Sequence, residues 1–294
     1  MKKPKVLVIS RVYPHPGSSG QQMRVRNILT SIREHFHITF LTNIYNIKKT
    51  DELKYKLKDY VDESIIIPTK YNGFICKILL RIYGSIWSLF KGLKFSNFIS
   101  SKIDLTLTRV KENLNGKNFD LVIYEYWHSY ETIKIFKNIR TPVILDMHNI
   151  LWKSFETQLR SKKYLPDFII KHFLKKYKIE EENAWKEFDA LITINRIENE
   201  YVSKLGLKTL YVPMGIEMSK WSSQRSFNKT KKVGYYGGMS SLHNQRDALV
   251  CYNSIMPKVW ETSSDIEFWI IGSNPPKSII NLSKEDKRVY VTGY

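Results

Sequence analysis

Only two of the 294 residues are cysteines, Cys76 and Cys251. That excludes a disulfide scaffold and fits a reducing compartment. No secretory leader is expected: behind the basic Met1–Lys5 start, the apolar run Val6 to Ile9 is far too short for an h-region. Long hydrophobic runs are missing as well. The most apolar stretch, Phe74 to Phe90, is broken by Lys77 and Arg81 and makes a poor membrane span. There is no G-x-G-x-x-G after the first strand, so a nicotinamide-dependent enzyme is disfavoured. No helix-turn-helix, RRM or zinc pattern is present, which leaves only salt-sensitive, non-specific affinity for nucleic acid.

Acidic charge is also scarce. Lys plus Arg number 47 against 28 Asp plus Glu, a net +19. A balance of this kind implies an anionic partner: a membrane surface, a nucleic acid or phosphorylated substrates. With 43% hydrophobic and 13% aromatic residues the chain can bury real cores and is no disordered tail.

Short β-branched runs alternate with helical patterns. Continuous apolar strands are read at 5–10, 37–42, 65–67, 120–124, 142–145 and 189–193, and helical spacing runs from Gln21 to Phe36. Such strands between helices predict a parallel sheet covered on both faces, a doubly wound α/β unit. Pro166 to Phe188 reads as a long helix whose pairs Lys176–Glu180 and Lys178–Glu182 form a solvated face. A polar segment near Trp221 to Lys232 suits a linker. A second α/β pattern follows, with strands at 233–236, 267–271 and 288–291 and a helix from Gln245 to Val259 capped by Asn244. The expected division is an N-terminal domain over 1–212, a linker over 213–232 and a partial Rossmann-like domain over 233–294. The last is shorter than the roughly 100–150 residues of a usual domain.

In open α/β sheets ligands bind beyond the carboxyl ends of the strands. Four places qualify. The loop from Arg11 ends at Gly20, where a helix start can approach an anion, with Arg24 one turn in. Glu125-Tyr126-Trp127-His128 could hold a sugar by hydrogen bonding and stacking, or be core at Trp127 with Glu125 solvated. Asp146-Met147-His148-Asn149 is poor core and good site material, although a lone histidine is more often structural. Asn195-Arg196 reads equally as a plain helix start.

In order and spacing these phrases resemble the retaining family 4 glycosyltransferases of GT-B fold. The resemblance rests on the first strand with Pro16 to Arg24, on Asp146 to Asn149 and on Asp189 to Thr193. It continues through Val212-Pro213-Met214-Gly215-Ile216-Glu217, Val233 to Met239, Asn244, Pro257, Ile270-Ile271-Gly272 and Val291-Thr292-Gly293. It implies transfer of a sugar from a nucleotide-sugar to a glycan or lipid-linked acceptor in surface polysaccharide synthesis, without metal or other cofactor. By the same resemblance His148 lines the cleft beside the reacting sugar. Gly20, Gly238 and Arg246 serve the donor, and no general base is assigned because the leaving phosphate assists. Arg24, Glu125, His128 and Asn149 are the expected acceptor contacts. Met214 stands where the family usually has Asn, and Met239-Ser240 where it has the cations that grip the diphosphate. The family's E-x7-E element would lie beyond Tyr294, so a truncated, inactive relative that binds only acceptor or membrane is the alternative.

Phe74 to Lys94 combines cationic positions at Lys77, Arg81 and Lys91 with a wide apolar face including Trp87. It suits the interface of an anionic membrane, or equally an internal packing helix with exposed lysines. The expected setting is cytoplasmic, with peripheral binding to the inner face of the cell membrane.

Overall fold

The computed structural model describes residues 3–17, 19–70, 73–161, 165–215 and 231–293. The chain divides into two compact units, Met1–Ile216 and Glu217–Tyr294. The polar linker sequence at 222–226 and residues 216–217 of the Val212–Glu217 motif lie outside the described residues.

The first unit holds strands β1 (Lys5–Ile9), β2 (His37–Ile44), β3 (Glu63–Pro68), β4 (Leu121–Glu125), β5 (Val143–Asp146), β6 (Ala190–Thr193) and β7 (Thr209–Tyr211). They form one sheet in the order β3-β2-β1-β4-β5-β6-β7, with every pairing parallel. Its helices are α1 (Gly20–Ile32), α2 (Thr50–Leu57), α3 (Phe74–Lys91), α4 (Phe95–Phe98), α5 (Leu107–Leu114), α6 (Lys134–Lys137), α7 (Leu151–Arg160), α8 (Asp167–Trp185) and α9 (Arg196–Lys204). The central strands are apolar along most of their length because both faces are covered, and their polar residues gather at the carboxyl ends, as at Glu125, Asp146 and Thr193. Val6, Val8 and Phe40 pack with Val25 and Leu29 of α1 and Leu57 of α2. Leu7, Ile9, Val122 and Leu145 pack on the opposite side with Val110, Tyr177, Trp185 and Val202 of α5, α8 and α9. At the amino edge Asp62, Asp120 and Asp189 each accept a backbone N–H of a neighbouring strand, from Ile38, Lys5 and Val143, at 2.7 Å.

The second unit contains β8 (Lys232–Tyr236), α10 (Leu242–Val250), α11 (Met256–Thr262), β9 (Glu267–Ile271), α12 (Lys277–Glu285) and β10 (Val289–Thr292). Its sheet is parallel in the order β10-β9-β8. Phe268, Ile270 and Val289 pack with Ala248, Met256, Ile279 and Leu282 from the three helices. On the opposite strand positions Trp269 and Tyr290 stack at 4.7 Å, with the Lys232 ammonium 4.5 Å above the indole.

Several local expectations shift. Helix α10 starts after Ser241, not Asn244; the Asn244 amide donates instead to the Gly238 carbonyl at 2.8 Å. Strand β7 was not legible in its short polar-flanked sequence. Of the two pairs expected on α8, Lys178–Glu182 forms at 3.8 Å, whereas Lys176 and Glu180 turn to other partners. Lys176 donates to the Phe90 carbonyl at 2.5 Å and Glu180 meets Lys91 at 3.7 Å, so both secure the end of α3. Helix α3 itself is no internal packing helix. Its single buried residue is Gly84, seated on Phe95 and Phe98, while Phe74 is 80% and Phe90 71% exposed. Among the described residues no helix is long and apolar enough to cross a membrane.

Candidate functional site

The strand order reverses between β1 and β4, so the loops beyond their carboxyl ends diverge and leave a crevice, the usual ligand position of such sheets. Here the last residues of β4 and β5 and the segments that follow them carry the polar groups. Glu125 and Asp146 end paired strands in register, and both are buried.

Asp146 is held by Arg24 from the first turns of α1. The guanidinium donates through Nε at 2.8 Å and Nη2 at 3.1 Å, the fork geometry that suits a carboxylate. Nη1 reaches the carbonyls of Val212 and Pro213 at 2.8 and 3.2 Å, and Asn27, also on α1, donates to the Gly215 carbonyl at 2.8 Å. Arg24 is 3% exposed and Asp146 wholly buried. The expected acceptor contact at Arg24 is thus an internal clamp.

Glu125 meets His148 Nε2 at 2.5 Å. Burial, with the Asp146 carboxylate adding to it, pushes the Glu125 carboxyl up against the opposing pull of His148 and Arg24. Glu125 therefore orients an imidazole instead of facing an acceptor. Tyr126 and His148, one residue beyond Glu125 and two beyond Asp146, both have positive φ, +71° and +57°. With ψ at 149°, Tyr126 occupies a region that is nearly reserved for glycine. Their rings stack at 4.3 Å and 15°. Backbone strain of about 1–3 kcal/mol per residue persists only where the surroundings over-determine it, and it clusters at functional sites. The Tyr126 hydroxyl is buried and has no hydrogen-bond partner among the described residues.

The segment carrying His148 is gripped from behind. Glu181 of α8 accepts the N–H groups of Leu151 and Trp152 at 2.9 and 2.7 Å, and Glu198 of α9 accepts that of Ile150 at 3.0 Å. Burial dominates at Glu181 and pushes it up to about 8 despite the two donors. Asn149 donates to Ser154 at 3.0 Å within this segment. His128 is half-buried and stacks on Trp127 at 5.3 Å. Burial, with Arg11 and Lys94 nearby, pushes it down to about 3, so its ring stays neutral.

Glu125, Asp146 and His148 bring three possible metal-ligand atoms within 4.8 Å of one another. The fixed guanidinium of Arg24 already spans both Asp146 oxygens, so the cluster fits an ion-paired scaffold better than a cation cage.

Gly20 lies at the start of α1, with Ser19 accepting the Gln22 N–H at 3.3 Å. A Cβ added at Gly20 would meet nothing within 4 Å, and the first turn has no acidic residue. That helix end is open to an anion. Asn195 proves to be the bland alternative, an N-cap accepting the Glu198 N–H at 2.8 Å.

In the second unit Gly237 and Gly238 turn out of β8 while Gly272 turns out of β9. A Cβ on Gly272 would stand 1.9 Å from the Gly237 carbonyl oxygen, so only glycine permits this crossing. Arg246 is exposed on α10, with Asp247 its neighbour at 3.4 Å.

The chain is similar in structure to sucrose-phosphate synthase from Thermosynechococcus elongatus, with a TM-score of 0.62 and 14% identity over 99% of this chain and 70% of that one. A TarM variant from S. aureus in complex with fondaparinux, alpha-GlcNAc-glycerol and UDP follows at 0.59 and 11%, over 99% and 77%. Arabidopsis thaliana UGT89C1 complexed with UDP-L-rhamnose aligns at 0.53 and 16%, over 100% and 70%. The fold is GT-B-like. No protein-family model and no curated protein sequence matches the chain.

Sequence reasoning singled out Arg24, Glu125 and His148, and the first unit brings these together. It did not single out Asp146 or Tyr126, although both stand inside the quoted phrases. A carboxylate ending a buried strand was the available signal for Asp146. Nothing in the sequence marks the positive φ of Tyr126.

Proposed function

We propose that the protein is a retaining glycosyltransferase of the family 4 type. It moves a sugar from a nucleotide-sugar to a glycan or lipid-linked acceptor in surface polysaccharide assembly. The observation that carries this reading is the strained, stacked pair Tyr126–His148 at the crevice of a GT-B-like first unit. In the reaction the bond from the anomeric carbon to the donor phosphate breaks and a bond to the acceptor oxygen forms. The acceptor proton passes to the leaving phosphate. The open end of α1 at Gly20 supports stabilisation of the developing negative charge, with aimed N–H groups and no opposing carboxylate. His148, fixed by Glu125 and Tyr126, supplies a hydrogen bond beside the reacting sugar. Gly238 and Arg246 contribute nucleotide contacts in the second unit. Asn149 and His128 shape the acceptor side, and no metal takes part.

Helix α3 supports a place at the inner, cytoplasmic face of the membrane. Its exposed apolar side chains run beside Lys77, Arg81 and Lys91, which suits an anionic lipid surface.

Calorimetric titration of the 294-residue chain with UDP and GDP tests the reading, followed by transfer from the matching labelled nucleotide-sugar to lipid extracts. Saturable binding of one nucleotide and label in the lipid fraction are expected. A folded chain that binds neither nucleotide would overturn it.

A further inference from the structure

The loop after β1 returns toward the sheet at Tyr13 and lies beside the end of β2 and the helix α2. Between them is a cavity of about 300 Å³, at the small end of the range in which proteins hold small molecules. It lies on the β2 side of β1, at the same carboxyl edge of the sheet as Tyr126 and His148 on the β4 side.

Two kinds of side chain line it. Tyr13, Tyr45 and Leu53 supply apolar surface. Both phenol oxygens are already engaged with protein: Tyr13 donates to the Asn43 carbonyl at 2.6 Å, and Tyr45 accepts from Arg11. Their ring faces offer hydrocarbon, which suits the C–H face of a sugar ring, and the Tyr45 hydroxyl keeps its proton to donate. Lys49, Lys56 and His15 supply the polar lining. Glu52 is the one carboxylate there, and Lys56 bonds it at 2.5 Å. That hydrogen bond and the charges of Lys56 and Lys49 hold the Glu52 carboxyl below its usual range. Two ammonium groups against one paired carboxylate leave the cavity net cationic. The surplus ammonium, Lys49, is exposed and takes part in no ion pair among the described residues.

We infer that this cavity is a subsite for an anionic sugar residue of the acceptor, one ring in size and bearing a carboxylate or a phosphate. This inference rests on the transferase reading above for the word acceptor, but the binding it describes does not need a nucleotide. An anionic acceptor also gives the excess of basic residues a use, since a positive surface raises the encounter rate with polyanionic glycans.

Saturation-transfer NMR on the full chain with D-glucuronate, D-glucose 6-phosphate and D-glucose, at low salt, tests it. One or both anionic sugars are expected to receive saturation and neutral glucose several-fold less. Glucuronate alone would identify a uronic acid, glucose 6-phosphate alone a phosphorylated sugar, and both together a site that reads charge. Lys49→Glu is expected to abolish the anionic signal and Lys49→Ala to weaken it, with circular dichroism unchanged. Equal signals from glucose and the anions, or anionic signals unmoved by Lys49→Glu, would overturn the subsite. Titration of the same sample with UDP and GDP separates the two readings. Nucleotide binding without anionic-sugar binding removes only the subsite. Anionic-sugar binding without nucleotide binding keeps the subsite and removes the transferase.

Discussion

The rings of Tyr126 and His148 lie 4.3 Å apart and nearly parallel, although each residue holds a backbone conformation that side chains avoid. The two conformations support one another: positive φ after β4 and after β5 aims both rings at the same spot. His148→Asn separates ring from backbone, because Asn tolerates the left-handed region. Transfer from nucleotide-sugar is expected to fall by about 10²–10³, the cost of one aimed donor, while Tm changes by only a few degrees. A transfer rate within twofold of wild type would remove His148 from the reaction.

Arg24 and Asp146 are expected to behave as a buried pair. Arg24→Ala strands the Asp146 carboxylate and should cost about 3–5 kcal/mol in urea unfolding. Arg24→Lys should recover little, since an ammonium cannot reproduce the fork and reach Val212 as well. Adding Asp146→Ala to Arg24→Ala should cost less than the two single losses combined.

Glu181 and His128 set opposite pH limits on the first unit. Burial raises the Glu181 carboxyl from 4.5 to about 8, so its contribution is complete below 4.5 and is lost as pH rises through 8. His128 is lowered from 6.5 to about 3, so its contribution is complete above 6.5 and is lost as pH falls toward 3. Denaturation across pH 4–9 should show a maximum between the two losses. Glu181→Gln should flatten the alkaline limb, and an unchanged alkaline limb would exclude Glu181 as its cause.

Gly272→Ala should destabilise the second unit by about 1–3 kcal/mol, because the added methyl collides with the Gly237 carbonyl. Limited proteolysis should then cleave between 231 and 293 first. Equal resistance of variant and wild type would show that the crossing relaxes freely.

Helix α3 should take the protein to vesicles containing phosphatidylglycerol and not to pure phosphatidylcholine, with binding weakened by salt. Lys77→Glu with Arg81→Glu should abolish co-sedimentation. So should Phe74→Ser with Phe90→Ser, since charge and apolar face act together. Loss in only one pair would identify which force holds the helix.

The sheet was legible because its information is local. A strand buried on both faces must be apolar at every position, so Val6 to Ile9, Val122 and Ile123, and Val143 to Leu145 stand out against their surroundings. The site was legible only as chemistry at strand ends. That Glu125 serves His148 and that Arg24 serves Asp146 depends on pairings 23 and 122 residues apart, which no window of sequence contains. The bury-or-expose choice for α3 was likewise undecidable, since the same apolar stripe can face a core or a membrane. Its outcome depends on Gly84, which lets Phe95 and Phe98 approach the helix where a side chain would block them, beside Tyr83 and Trp87.

The reach of Arg24 also orders events during synthesis. Its helix leaves the ribosome early and can dock on β1 and β2 once Ile44 has emerged. The carboxylate that neutralises it appears only at residue 146, and the carbonyls that complete its shell only at 212 and 213. Until residue 146 the docked α1 would carry an uncompensated cation into a dry interface, and until 213 its guanidinium would lack two of its acceptors. The first unit is therefore closed by its own last residues, and a chain interrupted before Val212 should be less stable than the whole unit instead of a smaller domain of equal stability.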